Sequence, residues 1–184
     1  MKSLIASILV LGLVGFVVGV GTQAADVDVT VTPQIVSATV GDGDVDYGTL
    51  AAGDSAHTNT AATPSGTALE TQTITSTSNV STDIVLRSSD AAKTGELGVT
   101  NWALGGTAGT DIFVHSYDID ATGTPSWNAF PDDGTFDNTN TAPVVTLVNN
   151  GNTATLDLKI DMPDTITETS VHSIDITVVA TATN

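Results

Sequence analysis

Apolar and polar residues alternate with a period of two over most of the sequence, and a helical period is almost absent. Val27, Val29 and Val31 fall on one face of an extended segment whose other face carries Asp26, Asp28 and Thr30. Pro33 interrupts this run, and the apolar phase moves to Val36, Ala38 and Val40, which predicts a kink or bulge where the strand changes partner. Further strands are predicted at Val45 to Leu50, Thr71 to Asn79, Thr82 to Ser88, Gly98 to Leu104, Asp111 to Ile119, Val144 to Asn149, Thr153 to Met162 and Val171 to Thr181. Gly, Asn, Asp and Pro clusters separate them, as turns require. Leu156, Leu158, Ile160 and Met162 make one inward face, and Ile174, Ile176, Val178 and Ala180 make another. Asn149-Asn150-Gly151-Asn152 predicts a hairpin, because Asn-Gly readily takes the positive φ angles of a tight turn.

Residues 54–68 and 122–142 read as loops, and the second carries Trp127, Phe130 and Phe136, which should plug one end of the molecule. About eight or nine short strands with no intervening helix predict an all-β chain, an antiparallel β-sandwich of immunoglobulin-like or jelly-roll type.

The N-terminus breaks the alternation. Met1-Lys2-Ser3 is a short basic start, Leu4 to Val20 is an apolar run, and Gly21-Thr22-Gln23-Ala24-Ala25 supplies the small residues that a signal peptidase accepts. The expectation is a secretory signal at residues 1–25, followed by a single domain at 26–184 that does not enter the membrane after cleavage. Residues 26–40 would be its exchangeable N-terminal strand. The rival is a retained anchor, since the apolar run reaches the lower limit of roughly 17–25 residues for a spanning helix.

Composition narrows the partners. The chain carries 21 Asp and Glu against 4 Lys and Arg, a formal charge of −17. Such a chain repels phosphate backbones and offers no basic stripe, so nucleic acid is excluded as a partner. The absence of cysteine removes disulfides, thiolate nucleophiles and thiolate-rich metal sites. Removing residues 1–25 leaves all the acids facing Arg87, Lys93 and Lys159 alone. That surface is soluble and self-repelling, and salt or divalent cations would relieve it.

Catalytic patterns are missing. His57, His115 and His172 lie far apart with no His-Glu-x-x-His spacing, and there is no Gly-x-Ser-x-Gly elbow, phosphate-cradling loop or Ser-x-x-Lys. The expectation is therefore a non-enzyme with no catalytic, cofactor or metal residues assigned. The best calcium candidate is Gly41-Asp42-Gly43-Asp44-Val45-Asp46-Tyr47-Gly48, whose alternate carboxylates could converge on Ca²⁺. It departs from the EF-hand pattern, with Tyr47 at the turn glycine and Gly53 at the bidentate Glu. The competing reading is a strand that sends Asp44 and Asp46 to solvent. Asp132-Asp133-Gly134 with Asp137 is a weaker second cluster. Asn79-Val80-Ser81 is a glycosylation sequon of a length that recurs by chance in Ser/Thr-rich sequence. Trp127, Phe130 and Phe136 could form a sugar-stacking platform, or simply join the core.

The order Val45-Asp46-Tyr47-Gly48-Thr49-Leu50-Ala51-Ala52-Gly53, then Thr71 to Asn79, then Thr82-Asp83-Ile84-Val85-Leu86, resembles the opening of exported immunoglobulin-like surface domains. It is also similar to the layout of the TasA/camelysin-like biofilm-fibre proteins. That resemblance implies a signal peptide, a jelly-roll-like sandwich and subunits that polymerise by donating an N-terminal strand. The peptidase activity sometimes attached to camelysin has no zinc-protease motif to support it here. Trp102-Ala103-Leu104 resembles the Trp-x-Leu motif of cell-wall-binding surface proteins, although a second copy is missing.

The residues give the fibre idea a physical basis. Val27, Val29, Val31 and Ile35 form a regular apolar face that could complete a neighbour's sheet, a candidate donor strand. The alternative is that the same segment forms the first strand of its own sandwich. The functional expectation is a secreted structural protein of the cell surface or an extracellular fibre, self-associating into an oligomer or filament. The alternative is an extracellular adhesin or ligand-binding module for carbohydrate or protein, with calcium as its only candidate cofactor.

Overall fold

The computed structural model describes residues 32–41, 43–59, 71–93, 100–120, 124–131, 143–148 and 150–183. The signal-like segment 1–25, Val27, Val29, Val31, Asp42, Phe136 and the acids at 132, 133 and 137 lie outside them. The compact unit that contains the strands runs from Gln34 to Asn184.

Two long strands organise this unit. Ile112–Ile119 and Thr153–Asp161, here β7 and β10, pair antiparallel from Leu156↔Ile119 to Asp161↔Val114. Period-two alternation puts Phe113, His115 and Tyr117 of β7 on the same side as Leu156, Leu158 and Ile160 of β10, and all six are buried. Each long strand takes two short partners in series on its other edge. β10 pairs with Gln72–Ser76 (β3) near its start and Ser55–His57 (β2) near its end. β7 pairs with Thr100–Leu104 (β6) near its start and Asn128–Ala129 (β8) near its end. Ala38–Val40 (β1) lies outside β3, Ala91–Lys93 (β5) outside β6, and His172–Ser173 (β11) outside β5. The result is a nine-stranded sheet running β1-β3-β10-β7-β6-β5-β11, with β2 and β8 off that path.

A three-stranded sheet centres on Thr82–Ser88 (β4), flanked by Val145–Leu147 (β9) and Ile176–Ala182 (β12). Ile84 and Leu86 of β4 share one core with Ile74, Phe113, Leu156 and Leu158 of the large sheet. A fully buried aliphatic side chain of this kind contributes about 1.5–3 kcal/mol. No helix occurs among the described residues, and the chain is all-β. The layering predicted from the sequence takes the form of a curled half-barrel sheet closed on one side by the smaller sheet.

Several local expectations are corrected. Twelve strands, rather than eight or nine, occur among the described residues. The turn at 150–152 is not a hairpin: β9 belongs to the small sheet and β10 to the large one. Gly151, at φ +84°, donates its N–H to the Ser76 carbonyl at 2.7 Å, so the turn is anchored to the end of β3 where the chain passes from the small sheet to the large one. Within the loop expected at 54–68, Ser55–His57 is a strand on β10 and Ala56 is fully buried. The strand expected at 171–181 splits into β11 and β12, because the chain changes sheets at Ile174-Asp175. Among the described strands one pairing is parallel, β6 with β7, over only two residue pairs. Parallel neighbours usually need a crossover of a dozen or more residues. Here a connection from Gly105 to Asp111 suffices, and a Cβ on Gly105 would lie 2.5 Å from Ile112 Cγ2.

Candidate functional site

The half-barrel does not close. Its first edge is β1 and the segment that follows, residues 43–50. Val45, Tyr47 and Leu50 are half-buried and packed on the core while Asp44, Asp46, Gly48 and Thr49 are exposed, so this segment has the period-two pattern read from the sequence. It nevertheless pairs with no strand among the described residues. The main-chain groups of Val45, Tyr47 and Leu50 make no hydrogen bond among the described residues. The opposite edge is β11 running on into β12, which bonds β4 on one side and, among the described residues, no strand on the other. Between these edges lies a groove of about 800 Å³. Its floor is Leu156, Leu158, Ile160 and Met162, and its far wall includes Ile174, Ile176 and Val178. Val171 stands on its rim and is 77% exposed.

The 43–50 rim is held in place by side chains from the core. The Tyr47 hydroxyl meets His115 Nε2 at 3.1 Å, and His115 Nδ1 meets the Ser88 hydroxyl at 2.8 Å. His115 thus ties the 43–50 rim, β7 and β4 together, and Phe130 packs 5.2 Å from its ring. Burial keeps this imidazole neutral, pushing its pKa down to about 3, and burial also pushes the Tyr47 phenol up. Gln72 adds a second tie, its amide donating to the Asp44 carbonyl at 3.1 Å and accepting from the Gly43 N–H at 3.0 Å.

The far rim is braced by acids. Asp111, at φ +52°, accepts from the Thr167 N–H at 2.7 Å and from the Thr167 hydroxyl, while its own N–H donates to the Thr165 carbonyl at 2.9 Å. Those Thr167 bonds hold the Asp111 carboxyl below its usual range. Glu168 is held low in the same way by the hydroxyl and N–H of Ser170, and Lys93 lies 4.0 Å from it. The loop 164–171 is therefore a fixed wall of the groove.

Of the candidate donor residues, only Ile35 lies within the described part. It is 54% exposed, donates its N–H to Asn79 Oδ1 at 2.8 Å and accepts from the Asn79 N–H at 3.2 Å. Ile35 is thereby tied to its own chain, and a transferable strand would have to lie before Gln34. In the calcium candidate, Asp46 Oδ1 accepts the Gly48 N–H at 2.8 Å, which closes an Asx turn. Among the described residues no three His, Asp or Glu side chains converge in a way that could hold a metal ion. Trp127 is half-buried with its ring tilted 43° against His57, and Phe130 is buried between His115 and Tyr117, as a core aromatic would be. Asn79 of the sequon uses its side-chain oxygen to hold Ile35.

The sequence reading named His115 and Trp102 but missed their places in the core and at the groove, and it missed the groove itself. A signal for His115 was present in the alternation Phe113-His115-Tyr117, which puts the histidine on the apolar face. No protein-family model, curated protein or solved structure matches the chain.

Proposed function

We propose that the protein is a secreted, non-enzymatic structural subunit of the cell surface or an extracellular fibre, and that its subunits join by strand addition. The observation that carries this reading is the open seam. An exposed sheet edge is a template for pairing with another chain, and folded proteins ordinarily cover or blunt it. Here two edges face each other across an apolar floor with no strand of the described fold between them. An extended segment laid there would gain main-chain hydrogen bonds from both rims and bury alternate side chains on Leu156, Leu158 and Ile160.

Residues 26–31 have the matching pattern, with Val27, Val29 and Val31 on one face and Asp26, Asp28 and Thr30 on the other. Transfer of that segment to the next subunit is a head-to-tail contact, which grows an open filament rather than a closed dimer. Negative-stain microscopy of the secreted chain, with and without residues 26–31, tests this. Filaments from the intact chain and dispersed particles from the shortened one are expected. A chain that stays monomeric at high concentration in salt would refute the reading, as would filaments that form equally well without the segment.

A further inference from the structure

Two residues that line the groove carry buried polar atoms with no partner among the described residues. Trp102, on β6, is 7% exposed, and His172, on β11, stacks on it with ring centroids 3.9 Å apart and planes 20° apart. Both residues line the groove. Trp102 Nε1 and His172 Nε2 are each buried without a hydrogen-bond partner. Buried polar atoms in folded proteins are nearly always paired, so two neighbouring orphans mark a place where a partner belongs.

Their chemistry specifies that partner. The indole N–H can only donate. His172 Nδ1 lies 2.7 Å from the Ser170 carbonyl, which can only accept, so the ring proton sits on Nδ1. In the neutral ring Nε2 is then an acceptor. Two stacked rings beside the groove therefore leave one donor and one acceptor unpaired. An extended residue presents its own C=O and N–H towards the same neighbour, which is the complement of that pair. An aliphatic ligand would leave both atoms orphaned, and a simple carboxylate would leave Nε2 without a donor.

We infer that Trp102 and His172 form a main-chain recognition pair, with the indole N–H donating to the C=O of one residue of the inserted strand and His172 Nε2 accepting that residue's N–H. This rests on the strand-addition reading and deepens it. The alternating valines would select the face of the strand, and the Trp102–His172 pair would fix how far it slides. Because the pair reads main chain, it tolerates changes in the side chain at the residue it holds.

The test uses the unlabelled peptide Asp-Val-Asp-Val-Thr-Val-Thr-Pro, residues 26–33 of this sequence, added to the ¹⁵N-labelled secreted chain without residues 26–31, whose seam no copy of that segment fills. The Trp102 indole N–H resonance should move downfield and its solvent exchange should slow, while the Trp127 indole serves as an internal reference. In fluorescence-polarisation titrations with a dye-labelled copy of the peptide, Trp102→Phe and His172→Phe should each weaken binding about tenfold. Peptide that binds while the Trp102 indole is unmoved, with full affinity in both variants, overturns this inference and leaves strand addition standing. Peptide that does not bind at all overturns both. The resonance measurement needs no substitution, so it decides even where a variant fails to fold.

Discussion

His115 makes the stability of the fold depend on pH in a way that one substitution can isolate. The side chain is 2% exposed, bonded to Tyr47 and Ser88, and burial holds its pKa near 3. In the unfolded chain it titrates near the ordinary value of 6.5. Between those values the unfolded state binds a proton that the folded state refuses, so stability is full above pH 6.5 and is lost as pH falls towards 3. The slope approaches about 1.4 kcal/mol per pH unit, which makes the loss from this residue about 2–3 kcal/mol by pH 4.5. Acidification also acts elsewhere. Protonating Asp111 and Glu168 removes the advantage of their bonds to Thr167 and Ser170, and falling net charge relieves self-repulsion. Those contributions are common to the parent and a His115→Gln variant. Urea unfolding at a series of pH values from 7.5 to 4.5 therefore isolates His115 in the difference between the two curves. At pH 7.5 the variant should be less stable by about 1–3 kcal/mol through its disturbed hydrogen bonds. That gap should close by about 2–3 kcal/mol at pH 4.5. Curves that fall in parallel would show that His115 is not held neutral in the core, and the tie between the groove rim and the two sheets would fail with it.

Other consequences follow from single contacts. Tyr47→Phe leaves His115 Nε2 buried without its partner and should cost about 1–3 kcal/mol, lowering the melting temperature by roughly 2–4 °C per kcal/mol; an unchanged melt would refute the bond. Asp157, 3% exposed, accepts from the Thr71 hydroxyl at 2.6 Å, the Asn59 amide at 2.7 Å and the Thr58 hydroxyl at 3.2 Å. Asp157→Ala should therefore destabilise by about 2–4 kcal/mol in chemical denaturation, and a loss below 1 kcal/mol would contradict the network. Assembly should strengthen with ionic strength, because the screening length falls from about 30 Å at 0.01 M to about 3 Å at 1 M and the subunits carry strongly like charge. Light scattering that declines as sodium chloride is added would contradict this.

Strand identity was legible where alternation is long and its inward side is apolar. β4 runs Thr82–Ser88 as expected because Ile84 and Leu86 fix its phase, and Leu156, Leu158, Ile160 and Met162 are all buried as read. Pairing was less legible, because it depends on residues distant in sequence. Asn150-Gly151 does make a tight turn, yet turn chemistry is local and cannot say that the two flanking strands enter different sheets. Val171 to Thr181 looks like one strand because alternation continues across Ile174-Asp175, where the chain passes from one sheet to the other. The segment 45–50 shows the converse. Its pattern is that of a strand, but the neighbour that would complete its ladder is missing from the described fold. That mismatch between pattern and pairing is what exposed the groove. Trp102 and His172 could not be linked beforehand, since seventy residues separate them and β5 brings them together.

The central claim is that an extended N-terminal segment of one subunit closes the seam of the next, and the absence of native cysteine makes it directly testable. Thr30→Cys places a thiol on the polar face of residues 26–31, and Asp46→Cys or Thr49→Cys places one on the exposed face of the 43–50 rim. Paired strands bring such positions to about 4.5–5.5 Å between Cβ atoms, within reach of a disulfide. The double variants, prepared without residues 1–25, should on mild oxidation give a ladder of covalent multimers on a denaturing gel that collapses to monomer on reduction. An internally cross-linked monomer without a ladder would place the strand in its own subunit, and no cross-link from either pairing would leave the seam without this occupant; either result would contradict the account.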